Sequence, residues 1–199
     1  MKIVFLLRHA KSKQTSHDGS DLGRSLNKRG KQDATWMGEW MAAHDQTPEL
    51  VISSPARRAR QTAARCADAA GYRGEIRVEK ALYANGPGAY PASLARLDDT
   101  IRSVMLVGHN PDISIAVETL SGAYNRMPTT ALARIELPID RWSAWEAQRG
   151  QLAWVQLPEQ DRRSLLHLRV KRVAQTVAQQ VESQHTEHRR HPREKDDMR

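Results

Sequence analysis

Arg8 and His9 stand side by side at the end of a continuous apolar run, Ile3 to Leu7. Such a run reads as a buried β-strand. A guanidinium and an imidazole at the carboxyl end of a buried strand lie where open α/β sheets bind ligands. Arginine suits a phosphate because its fork donates paired hydrogen bonds. A neighbouring histidine becomes a nucleophile once its tautomer and orientation are held. Taken alone, the pair reads better as a basic strand end in a basic protein.

The arrangement recurs downstream. Ser103 to Val107 reads as a second apolar strand and runs into Gly108-His109-Asn110-Pro111. Between the two, Leu50-Val51-Ile52-Ser53-Ser54-Pro55 reads as a short strand leading into a helix that carries Arg58. If these strands are parallel neighbours, Arg8, His9, Arg58 and His109 converge on one point. Two arginines and two histidines around a point make a site for a tetrahedral dianion.

These segments, in this order, resemble the histidine phosphatase superfamily. Its Arg-His-Gly signature is matched by "LLRHAKS", with Ala10 in place of glycine. "SSPARRARQTA" is similar to the family's second-arginine element, "VMLVGHNPDI" to its second-histidine element, and "SLNKRGKQDA" to the turn that opens its first helix. The resemblance is closest to the small SixA-like phosphohistidine phosphatases and spans roughly residues 1–158. It implies a three-layer α/β/α, phosphoglycerate-mutase-like fold and a metal-independent, cofactor-free phosphatase. His9 would be the nucleophile, Arg8 and Arg58 the clamp on the nonbridging oxygens, and His109 a further donor to them. Protein phosphohistidine is the expected substrate. A broad small-molecule phosphatase, or a phosphate-binding regulatory module with little turnover, are the alternatives on the same residues.

Other positions near these elements are open to two readings. Ser12 and Arg24 are candidate substrate-binding residues, or else turn residues, and Asn110 joins them as a candidate beside His109. Arg57 and Arg60 flank Arg58 at helical spacing and read as solvent-facing. Larger relatives carry a glutamate after the third strand that protonates the leaving oxygen. The matching segment here, Lys80 to Pro91, has no Asp or Glu. Asp112, Asp18 and Asp21 are the substitutes to consider. General acid catalysis is worth about 10²–10⁴-fold, so an enzyme without it favours leaving groups that depart easily, such as the imidazole of a phosphoramidate.

The elements that must position these residues follow from the pattern. Asn27 is expected to cap a helix reaching about His44, with Ala34, Met37, Trp40 and Met41 inward. Ser54 and Pro55 read as N-cap and first-turn proline of the second helix, and Gly71 as its stop. Ile76 to Val78 is a short strand, and residues 80–91 a Gly- and Pro-rich loop. Leu94, Leu97 and Ile101 mark a third helix. Ile113, Val117 and Leu120 mark a fourth, ending before Gly122. Ala131 to Leu137 and Gln151 to Leu157 are late strands, separated by a loop bearing Trp142 and Trp145. The alternation predicts an α/β domain with a mainly parallel central sheet and helices on both faces.

Composition bounds the rest. The chain has 199 residues, enough for one domain plus an appendage. The lone Cys66 excludes an internal disulfide and falls with Ala59, Ala63 and Ala70 on an apolar helix face, which reads as core. No secretory signal and no membrane-spanning run is expected, and the chain reads as cytoplasmic. The formal net charge of +8 favours anionic substrates. Nucleic acid is disfavoured because no dense basic run carries interleaved aromatics. Residues 159–184 predict an amphipathic helical extension, with Leu166, Val170, Val173, Val177 and Val181 as a stripe for the domain or for a second copy of the chain. Residues 185–199 read as a disordered charged tail, and its His185, His188 and His191 are assigned no metal site.

Overall fold

The computed structural model describes residues 1–158, so the expectations for 159–184 and 185–199 lie outside the described residues. Six strands form one sheet: β1 (Lys2–Arg8), β2 (Leu50–Ser53), β3 (Ile76–Val78), β4 (Ser103–Gly108), β5 (Leu132–Leu137) and β6 (Gln151–Gln156). Their spatial order is β3-β2-β4-β1-β5-β6. The first four are mutually parallel, and β5 and β6 close one side antiparallel. The mainly parallel expectation is met.

Among the described residues five α-helices flank the sheet: α1 (Lys28–Ala43), α2 (Arg57–Ala69), α3 (Ala81–Ala84), α4 (Ala89–Leu94) and α5 (Asp112–Ser121). Successive strand residues point to opposite faces, so one strand feeds two cores. Val4, Leu6, Ile52, Val104 and Leu106 pack with Leu94, Ile113 and Val117 on one side. On the other, Phe5 reaches Trp154, which meets Trp40 of α1 edge-on. Helices α1 and α2 lie against each other there. A Cβ on Gly38 would run into the Cys66 carbonyl, so glycine is what allows the close approach. Cys66 is fully buried, and burial pushes its thiol up to about 12, as fits an inert core residue.

Three expectations about helices change, the first being that residues 80–91, expected as a loop, carry α3 and the start of α4. The second helix starts at Arg57, with Ala56 rather than Ser54 at the cap position. The Ser54 hydroxyl is turned toward His109 instead, 2.7 Å from its Nε2. The third helix does not run through Leu97 and Ile101. Residues 81–84 and 89–94 are helical, and Leu97 and Ile101 reach the core from the turns that follow. Pro91 is tolerated in the first turn of α4 because no intrahelical partner awaits its missing N–H there. Beyond the end of α4, Asp98 shapes the following turn by accepting from the Thr100 amide and hydroxyl at 2.8 and 2.7 Å. Asn27 caps α1 as expected, accepting from the Gly30 amide at 2.8 Å, and Gly122 ends α5 in the left-handed region.

Register explains why the strand ends matter. Arg8 lies opposite Gly108, and Ser53 opposite Val107. His9, Ser54 and His109 are therefore the first residues past the ends of three adjacent parallel strands. Their backbones continue the ladder: the His9 amide donates to the Gly108 carbonyl, and the Ser54 amide to the Val107 carbonyl, both at 2.9 Å.

Candidate active site

The convergence expected from the strand ends is present. The rings of His9 and His109 lie 5.1 Å apart between centroids. Arg58 Nε donates toward His9 Nε2 at 3.3 Å. The other ring nitrogen, His9 Nδ1, lies 2.9 Å from the Ala10 carbonyl, which can only accept. The proton therefore sits on Nδ1, and the lone pair on Nε2 points into the site. Burial pushes the His9 imidazole down to about 4, and the nearby charges of Arg58, Arg8 and Arg24 act in the same direction. His9 is neutral at pH 7, and its Nε2 lone pair meets only the long contact from Arg58 Nε.

The backbone around His9 is tied on both sides. The Ala10 amide donates to Thr62 Oγ1 at 3.0 Å, and that hydroxyl donates to the Arg58 carbonyl at 2.7 Å. The turn of α2 bearing Arg58 is thus linked to the residue after the nucleophile candidate. Opposite, the Thr130 amide donates to the Arg8 carbonyl at 3.2 Å. Thr130 is buried at φ 65°, in the left-handed region that a β-branched residue rarely occupies. Strain of this kind concentrates at functional sites.

Arg8 Nη1 donates to the Met127 carbonyl at 2.9 Å, while its Nε is buried without a partner among the described residues. His109 is likewise buried, its Nε2 on Ser54 and its Nδ1 unpartnered. Unpaired buried donors are rare and ask for an explanation. Two buried polar nitrogens without partners, one on Arg8 and one on His109, lie near the Arg58 guanidinium, an arrangement whose chemistry suits an anion. Burial, then the proximity of His9 and Arg58, pushes the His109 imidazole down to about 3.

Ser12 and Arg24 are brought to the same rim. Arg24 Nη2 donates to Ser12 Oγ at 3.0 Å, and Arg24 Nη1 pairs with Asp21 Oδ1 at 2.7 Å. Asn110 donates to the Met127 carbonyl at 2.8 Å, the same oxygen that Arg8 uses, and its buried Oδ1 has no partner among the described residues. Arg57 and Arg60 are exposed, as expected.

The three carboxylate candidates separate. Asp18 stays within its own loop, bonded to Ser20. Asp112 lies at the start of α5, where burial pushes its carboxyl up, and its charge is felt by Tyr90 beneath the site. Asp21 is in the site. Its Oδ2 accepts from Arg58 Nη2 at 2.8 Å and from the Tyr83 hydroxyl at 2.9 Å. Burial pushes the Asp21 carboxyl up, but the hydrogen bonds from Arg24, Tyr83 and Arg58 outweigh it and hold it well below the usual carboxylate range. It is an ion with no proton to give.

Ser54, Tyr83 and Thr130 belong to the site without having been singled out for it. The ring of Tyr83 stands edge-on to His109 at 5.4 Å. The strand-end argument that marks Arg8 and His109 applies equally to Ser54, which in the sequence also reads as a helix cap. Nothing local marks Tyr83 or Thr130. Among the described residues, no group of three or more His, Cys, Asp or Glu gathers to hold a metal, and no helix is long and apolar enough to cross a membrane.

Comparison with known proteins places this geometry. Residues 4–86 match the family model described as the histidine phosphatase superfamily (branch 1). An uncharacterised protein of Mycobacterium tuberculosis is 34% identical over 120 residues, covering 58% of this chain and 72% of that one. Among solved structures, the chain is similar to a candidate phosphohistidine phosphatase SixA from Nakamurella multipartitia. The TM-score is 0.70 at 26% identity, over 79% of this chain and 96% of that one. It is similar also to the protein histidine phosphatase SixA complexed with tungstate, with TM-score 0.69 at 26% identity over 78% and 97% of the two chains.

Proposed function

This chain belongs to the histidine phosphatase superfamily, in its SixA-like branch, and on that premise we propose that it is a phosphatase acting on protein phosphohistidine. His9 Nε2 attacks phosphorus in line, and the bond from phosphorus to the leaving nitrogen breaks. The substrate imidazole leaves with a proton taken from water. Water then attacks the phosphoryl group on His9, releasing inorganic phosphate and restoring the neutral imidazole.

Arg58, and Arg8 through its free Nε–H, donate to the nonbridging oxygens, whose charge the site must stabilise in the transition state. A Ser54 hydroxyl donating to His109 Nε2 leaves the His109 proton on Nδ1, the unpartnered nitrogen, as a third donor. Ser12, Arg24 and Asn110 line the approach. The arginines supply the positive charge, so the mechanism asks for no metal and no cofactor.

The observation that carries the substrate class is the state of Asp21. It is the carboxylate bonded to Arg58, and it is ionised and committed to three donors. A leaving alkoxide needs a proton at the moment it departs, whereas an imidazole departs with far less help. Matched peptides bearing phosphohistidine or phosphoserine at one position test this. The phosphohistidine peptide is expected to show kcat/KM higher by about 10²-fold or more. Equal values would overturn the assignment in favour of a broad phosphatase with a hidden acid, Asp112 being the first residue to replace. Binding of either peptide without release of phosphate would identify a regulatory binding module instead.

A further inference from the structure

Arg58 is gripped from behind. Its Nη1 donates to the backbone carbonyl of Asp21 at 2.7 Å, and its Nη2 to the carboxylate of the same residue at 2.8 Å. Only the Nε side is turned to His9. We propose that Asp21 is a positioning residue for phosphoryl transfer, holding both Nη groups of Arg58 so that its Nε edge faces the nucleophile and the incoming phosphoryl group.

Three features support this. The guanidinium ends a long, rotamer-rich side chain, and ordering such a chain costs entropy unless both ends are held. Asp21 supplies two acceptors from a single residue, which matches the paired N–H groups of the fork and sets its plane as well as its place. Asp21 is itself held, by Arg24 Nη1 at 2.7 Å and the Tyr83 hydroxyl at 2.9 Å, so the grip rests on the β1–α1 loop and on α3 together. Arg58 is almost completely buried while the Asp21 side chain is half-exposed, 7% against 47%. The carboxylate closes the site from the solvent side and the arginine works within.

The proposal rests on phosphoryl transfer to His9 and is indifferent to whether the physiological donor is phosphohistidine. Its test uses phenyl phosphate and 4-nitrophenyl phosphate with the full-length chain. A displacement of about 1 Å in a positioning group costs about 10²-fold, so Asp21→Ala is expected to lower kcat/KM about 10²-fold on both esters. Asp21→Asn, which keeps the backbone carbonyl and one neutral acceptor, should lose about tenfold, and it serves as the test if the alanine variant fails to fold. Two readouts separate positioning from other roles. A proton donor would spare the better leaving group, 4-nitrophenolate, whereas a positioning residue costs both esters alike. In an Arg58→Lys background, where no fork remains to be held, Asp21→Asn should change kcat/KM less than twofold. Activity of Asp21→Asn within twofold of wild type, a loss confined to phenyl phosphate, or an undiminished loss in the Arg58→Lys background would each overturn the proposal. An inactive wild-type chain fails the phosphatase reading and the proposal with it; an active one with an indifferent Asp21 fails the proposal alone.

Discussion

Arg58 Nε and His9 Nε2 face each other across 3.3 Å, a donor aimed at a lone pair. The contact is long for a hydrogen bond. It brings the two groups that must share a phosphoryl group to opposite sides of one small space. It also keeps the imidazole in the tautomer that attacks, because a proton on Nε2 would meet the cation head-on.

The nucleophile assignment predicts a covalent intermediate. Rapid acid-free quenching with an aryl phosphate is expected to trap a base-stable, acid-labile phosphoryl group on His9 by mass spectrometry. His9→Ala should lose both the trapped group and turnover. A phosphorylated residue other than His9, or turnover surviving in the variant, would contradict the mechanism.

Ser54 predicts a second-histidine effect. Its hydroxyl is the partner of His109 Nε2 at 2.7 Å, so Ser54→Ala leaves that nitrogen unpaired in a buried place and frees the tautomer to change. Kcat/KM should fall by about 10-fold, in line with about 1–2 kcal/mol for an unsatisfied buried group. The thermal midpoint should fall as well. Ser54→Thr, which keeps the hydroxyl, should retain more activity than alanine, and equal losses would show that only packing matters there.

Gly108 predicts a steric test of the strand end. A Cβ there would run into the Tyr90 hydroxyl, which accepts from the His109 amide at 3.2 Å. Gly108→Ala is expected to destabilise the fold by about 1–3 kcal/mol through overpacking and to depress turnover by shifting His109. Adding Tyr90→Phe removes the obstructing oxygen and should recover part of the stability, measured by urea unfolding. No recovery would place the clash elsewhere.

The two buried histidines predict acid sensitivity. Both are pushed down from 6.5 in the fold, His9 to about 4 and His109 to about 3. The unfolded chain then binds more protons than the folded one below pH 6.5. The folded state is fully stable in this respect above pH 6.5, loses stability steadily as pH falls from 6.5, and loses no more once pH is below about 4 for His9 and about 3 for His109. Unfolding free energy should drop between pH 7.5 and 5 by on the order of 1–2 kcal/mol per histidine. His109→Asn should flatten part of that slope, and an unchanged slope would remove His109 from the account.

Much of the site was legible because its position follows a rule of the fold class. Arg8, His9 and His109 each follow an apolar strand, and Arg58 opens the helix after another. In a parallel sheet those ends share one edge. The sheet order and the antiparallel pair β5–β6 complete a pattern that alternation alone suggested. Cys66 sat where helical spacing put it. The helix expected through Leu97 and Ile101 failed for a physical reason. Apolar residues at helical spacing can also reach a core from successive turns, and the Asp98–Thr100 bonds fix those turns.

The sequence by itself determined which groups meet, since residue type and strand position need only the parallel arrangement to converge. Tertiary structure alone decided how they are held. Ser54 and His109 are 55 positions apart, and Asp21 and Tyr83 are 62 apart. Hydrogen bonds over such separations depend on register, on loop path and on rotamer. None of these leaves a periodic trace in the chain. Ser54 could therefore be read as a helix cap and Asp21 as an acid, when folding makes one the partner of a histidine and the other the ionised grip on an arginine.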